Sequence, residues 1–288
     1  MFIHTPVLLD EVLQFLNPQS GGCFIDATLG AAGHAQALLD RTSPDGRVLG
    51  LDQDETSLVQ SSARLESFGS RVVLVHANFR NIASVARQNG FTESDGVLAD
   101  IGVSSMMIDD SSRGFSFMRE GPLDMRMDRN QPQTAADVVN TYPEKKIADI
   151  LYQYGEERRS RAIARSIVAA RPLRLTTDLV HAVVRVMGGP RYGKIHPATR
   201  TFQGLRIYVN DELGSLGEFL DQSMTVIRSG GRLVVITFHS LEDRIVKNKL
   251  RSALGGKVLT KKVVIAGEEE LRRNPRARSA KLRAWEKS

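Results

Sequence analysis

Only one cysteine, Cys23, occurs in the 288-residue chain. That excludes an intrachain disulfide and argues against a cysteine-based zinc site. No apolar run approaches the length that spans a bilayer. The first residues, MFIHTPVLLDEV, lack the basic-then-apolar order of a secretory signal. Both absences predict a cytoplasmic setting and no membrane partner. The six histidines are scattered, none paired at metal-ligand spacing, so no metal is expected. No Ser/His/Asp or Cys/His nucleophile arrangement is visible, and repeats and low-complexity tracts are missing.

What remains is an ordinary globular composition, 41% hydrophobic and 25% charged, long enough for one large or two modest domains. The net charge of +6 is compatible with a polyanionic partner. Its distribution says more: arginines gather in 156–174, 191–206 and 272–283. Each cluster reads either as a phosphate-contacting surface or as a solvated helix face; the three together favour phosphate.

The first hundred residues alternate short β-rich runs with helical patterns. CFIDAT (23–28), RVLGLDQD (47–54), VVLVHAN (72–78) and GVLADIGVS (96–104) are the strands, with helical stretches after each of the first three. This alternation predicts an α/β fold with a parallel sheet covered on both faces. The next buried strand is GRLVVITF (231–238), far beyond the reach of an ordinary crossover. Helical patterns fill the gap: a helix capped by Thr141 and Glu144, then 156–171 and 176–189. The expected organisation is a sheet domain at 1–106 and 210–288 with a helical insertion at 107–209. A helix at 241–254 and two β-like runs, KVLTKKVVI (257–265) and RSAKLRAW (278–285), complete the sheet with an antiparallel edge.

The first strand-to-helix turn reads Asp26-Ala-Thr-Leu-Gly30-Ala-Ala-Gly33-His34. Glycines allow a tight turn and close approach of a ligand to a helix N-terminus. A dinucleotide enzyme would show G-x-G-x-x-G; the G-x-x-G here suits a ligand without phosphate, such as S-adenosylmethionine. His34 is a site candidate, whereas His76 and His181 read as structural. Asp52 closes the second strand, where a carboxylate can accept both ribose hydroxyls of an adenosine; Asp54 reads as the next helix N-cap. Phe79 reads equally as an adenine platform or a core aromatic. Asp100 closes the fourth strand.

The chain also resembles the bacterial small-subunit ribosomal RNA cytosine-N4 methyltransferases, the MraW family. The resemblance is carried by HTPVLLDEVL (4–13), DATLGAAGH (26–34), DIGVSS (100–105), RGFSFMREGPLDMRMD (113–128), YGEERRSRAIARSI (154–167), HPATRTFQGLRIYVNDEL (196–213), FHSLEDRIVK (238–247) and NPRARSAKLR (274–283). It implies a class I (Rossmann-like) methyltransferase sheet, S-adenosyl-L-methionine as cofactor, and a decoding-site cytidine of 16S rRNA in the small ribosomal subunit as substrate. It puts cofactor contacts on Ala32, Gly33, His34, Asp52, Phe79, Asp100 and Met107. At Met106-Met107 the family usually has Pro-Gln or Pro-His, and a thioether offers no amide donor. Asp100 is the catalytic candidate, as acceptor of a cytosine N4 proton or as a cofactor ligand. Arg113, Arg126, Arg200 and Arg206 are substrate candidates, with pairing to Asp124, Asp128 or Glu212 as the structural alternative. A nicotinamide oxidoreductase and a non-catalytic ribosome-assembly protein are the competing functions.

Overall fold

The computed structural model describes residues 5–190 and 195–288. His4 of the HTPVLLDEVL motif and Arg191 of the 191–206 stretch fall outside that range. Two compact units are present: one runs to Gly102 and resumes at Leu213, and the other spans Val103–Glu212.

The first unit begins with α1 (Leu9–Leu16), β1 (Cys23–Asp26), α2 (Gly33–Arg41), β2 (Arg47–Asp52), α3 (Glu55–Leu65), β3 (Val72–His76), α4 (Ile82–Gln88) and β4 (Ser94–Asp100). The second unit holds α5 (Ser105–Asp109), α6 (Ala135–Thr141), α7 (Glu144–Gln153), α8 (Ser160–Ala169), α9 (Thr176–Met187) and α10 (Thr199–Val209). The chain then continues through α11 (Glu212–Val226), β5 (Ile227–Thr237), α12 (Ser240–Ser252), β6 (Gly256–Val258), α13 (Glu268–Arg273) and β7 (Lys281–Lys287).

The strands form one seven-stranded sheet in the order β3-β2-β1-β4-β5-β7-β6. β1 to β5 are parallel, and β7 runs antiparallel to both its neighbours. Successive side chains on a strand point to opposite faces, and the buried residues divide accordingly. Ile25, Leu49, Val97, Leu233 and Val235 pack with α4, α11 and α12. Phe24, Val48, Leu98, Val234 and Ile236 pack with α1 and α2. The sheet is thus an apolar layer between two helical ones, as its near-continuous Val/Ile/Leu strands require.

The second unit has its own core, in which Val138, Ile147, Leu151, Ile163, Ile167, Leu179, Val183 and Leu205 meet. Two details differ from the sequence expectation. Thr141 is the last residue of α6, its hydroxyl donating to the Asp137 carbonyl at 2.7 Å. The capping box belongs to Thr134 and Asp137, one helix earlier; Pro143 then opens α7 without a side-chain cap. The 257–265 run yields only the short β6, with Val264 adding an isolated bridge to Leu282. Among the described residues, no helix is long and apolar enough to cross a membrane.

Candidate active site

β1 lies at the centre of the parallel strands because the chain fills one side of it (β2, β3) and then crosses to the other (β4, β5). The carboxyl ends of β1 and β4 therefore flank the switch point, where sheets of this kind bind ligands. Asp26 and Asp100 end those two strands.

The turn after β1 is stitched to both neighbours: Ala27 N–H donates to the Leu98 carbonyl and Leu29 N–H to the Leu51 carbonyl, each at 2.8 Å. Gly30 adopts φ +50° and Ala32 φ +59°. At Gly33, the first residue of α2, a Cβ would come within 2.4 Å of Pro6 Cγ, so only glycine fits. Ser61 Oγ donates to the Gly30 carbonyl at 2.6 Å and Arg64 to the Ala31 carbonyl at 2.9 Å. His34 is buried, and its Nε2 lies 2.9 Å from the Val7 carbonyl. A carbonyl only accepts, so Nε2 carries the hydrogen. These bonds tie the turn to β2, β4 and α3.

Three carboxylates on that rim hold protons unusually tightly. Asp52 accepts the Gly30 N–H at 2.8 Å and the Asp54 N–H at 2.9 Å, yet burial still raises its pKa to about 6. Asp26 accepts the Thr28 N–H at 3.2 Å through Oδ1, while buried Oδ2 has no hydrogen-bond partner among the described residues; burial raises its pKa to about 7. Asp100 is pushed to about 8, first by burial and then by the negative fields of Asp26 and Glu242. Its backbone N–H donates to Thr28 Oγ1 at 2.6 Å, and its buried Oδ1 has no hydrogen-bond partner among the described residues.

Glu242, in the first turn of α12, is fully buried. Its Oε2 accepts the Phe238 N–H at 2.8 Å and the His239 N–H at 3.2 Å. Its Oε1 stands 2.9 Å from His239 Nε2 but outside hydrogen-bonding alignment. Sequence reading placed neither Glu242 nor His239 in the site. The available signal was that FHSLED directly follows a parallel strand. The structure brings Asp26, Asp52, Asp100 and Glu242 into one field at the strand ends.

Phe79 is buried and meets Phe219 edge-on, with ring centroids 5.2 Å apart. In the second unit, Met107 is buried, and its backbone N–H donates to the N-capping Ser104 hydroxyl at 3.2 Å. Three of the four candidate arginines are engaged within that unit. Arg113 donates to the Arg126 and Met127 carbonyls at 3.0 and 2.8 Å. Arg126 grips Asp124 through two bonds, at 2.7 and 2.9 Å, and also donates to the Arg129 and Gln131 carbonyls. Arg206 forms a two-bond pair with buried Glu212 at 2.8 and 2.9 Å. Arg200 is exposed.

The chain matches the MraW methylase family over residues 1–288. It is 49% identical to the ribosomal RNA small subunit methyltransferase H of Carboxydothermus hydrogenoformans, covering 99% of this chain and 98% of that protein. The protein of that name from Sorangium cellulosum is 51% identical, covering 98% of this chain and 90% of its own. That from Geobacter sp. (strain M21) is 46% identical, covering 99% of each. This chain therefore belongs to the MraW methylase family, enzymes that take their methyl group from S-adenosylmethionine.

Proposed function

We propose that the chain methylates the exocyclic N4 of a decoding-site cytidine in 16S rRNA, within the small ribosomal subunit. The observation that carries the chemistry is the buried Asp100 carboxyl, set at the switch point of the sheet with no partner for Oδ1 among the described residues.

The cofactor fits the residues present. The glycine turn lacks the G-x-G-x-x-G of a pyrophosphate site, and a helix N-terminus there suits a carboxylate. Asp52 keeps lone pairs for ribose hydroxyls beyond the two N–H groups it accepts. Oδ2 of Asp26, without a partner among the described residues, suits an ammonium group. Ala32, Gly33, His34 and Phe79 complete the cofactor surface in this reading. S-Adenosylmethionine supplies an electrophilic sulfonium methyl.

The cytosine amine is a weak nucleophile because its lone pair is delocalised into the ring. Asp100 accepts one N4–H hydrogen bond, which localises that lone pair, and then takes the proton. Its raised pKa of about 8 makes the ionised form a stronger base than an ordinary carboxylate, and the share of molecules in that form grows as pH rises through 8. The target base leaves its stack to reach this rim. Of the four candidate arginines, Arg200 contacts the RNA backbone, while Arg113, Arg126 and Arg206 hold the framework of the second unit.

The test is transfer of labelled methyl from S-adenosylmethionine to small subunits lacking native methylation, followed by nucleoside analysis. Label recovered as N4-methylcytidine is the expected result. Label on another nucleoside overturns the target, and cofactor binding without transfer points to a non-catalytic assembly role.

A further inference from the structure

The arginine-rich stretch 272–283 takes no part in the chemistry above, yet it borders a cavity of about 320 Å³ in the first unit. Ligand cavities start at about 300 Å³. Phe238, Ile265 and Leu271 supply apolar walls, while Arg278, Ser279 and Lys281 supply donors; no acidic side chain lines it among the described residues. Ile265 is 63% exposed despite being a large aliphatic residue. Arg278 is exposed, and its guanidinium has no partner among the described residues. Lys281 stands 3.8 Å from Asp243, which is more tightly held by Arg283 at 2.7 Å.

The wall is anchored. Glu270 accepts the Leu8 N–H at 2.7 Å, Asn274 donates to the Thr5 carbonyl at 3.2 Å, and Val264 bridges to Leu282. The cavity also adjoins the acidic rim. His239 both lines it and stands 2.9 Å from Glu242, and Phe238 follows β5, whose neighbour β4 ends at Asp100. An apolar slot with a cationic, hydroxyl-bearing lip matches a nucleotide: the base against carbon, the phosphate on Arg278 and Lys281.

We propose that this cavity binds a nucleotide of the substrate RNA flanking the methylated base, so that the sheet unit itself reads the target's neighbourhood. This rests on the reading of the chain as an RNA methyltransferase. The experiment measures methyl transfer to unmodified small subunits across a salt series for wild type, Arg278→Glu and Ile265→Asp. Cofactor affinity and melting temperature are measured alongside.

Both variants are expected to raise KM for the subunit about tenfold, with kcat at saturating subunit and cofactor affinity unchanged. Arg278→Glu should also lower the salt slope of binding by about one phosphate contact, whereas Ile265→Asp should leave that slope intact. Wild-type KM and slope in both variants, with the wild type active, overturn the cavity proposal alone. A wild type that transfers no label to RNA overturns the functional reading and this proposal with it.

Discussion

At the residue scale, Asp100 couples stability to pH in a direction that identifies its state. The folded protein keeps this carboxyl protonated up to about pH 8, whereas an ordinary aspartate releases its proton near the model value of 3.8. Between those values the native state binds more protons than the unfolded one, so this group's contribution to stability falls as pH rises. Asp100→Asn should therefore raise the melting temperature at pH 8, by the equivalent of about 2 kcal/mol or more, and do little near pH 4. The same variant should lose methyl transfer. A melting series showing no gain at pH 8 would contradict the buried, proton-holding carboxyl. In wild type, kcat/KM should rise with pH through a limb near 8. Glu242→Gln removes a negative neighbour and should shift that limb downward, which a loss of folding alone cannot do.

Ala32 makes a separate residue-scale prediction. It holds φ +59° at the N-cap of α2, a conformation costing about 1–2 kcal/mol for a residue with a Cβ. Glycine removes that cost but adds about 0.5–1 kcal/mol of unfolded-state entropy. Ala32→Gly should therefore stabilise by roughly 0.5–1 kcal/mol, measurable by denaturant titration; destabilisation would mean that the alanine methyl contributes packing that outweighs the strain.

At the element scale, α10 separates two kinds of arginine. Arg206→Ala strips Glu212, 6% exposed, of its two-bond partner, and one-sided loss of such a pair costs about 3–5 kcal/mol. Arg200→Ala, on the exposed face, should leave the melting temperature unchanged and weaken RNA binding. Equal melting losses in both variants would remove the distinction. The distinction was not legible beforehand, because both residues sit in one basic motif and their neighbours are set by how the helices pack. Capping shows the same limit. Both Thr134 and Thr141 precede an acidic residue by three positions, and only the end of α6 before Pro143 decides which of them caps a helix.

At the scale of the whole molecule, RNA binding should weaken steeply with salt, because exposed arginines act through phosphate charge. A salt-independent affinity would place recognition in uncharged contacts instead. The α/β class and the parallel strands were readable because strand periodicity and the acids at strand ends are local patterns; β1 to β5 needed no distant information to be recognised. The resemblance to the MraW methylases was equally a property of linear motifs. Strand order, by contrast, put β4 beside β1 and brought the ends of Asp26 and Asp100 together. Folding also buried Glu242 near them and assigned three arginines to structural partners. Those facts depend on desolvation and on contacts between residues distant in the chain. Sequence by itself determined which groups were available and on which kind of element. The tertiary structure alone decided which groups lost water, which found partners, and which carboxylate was left holding a proton.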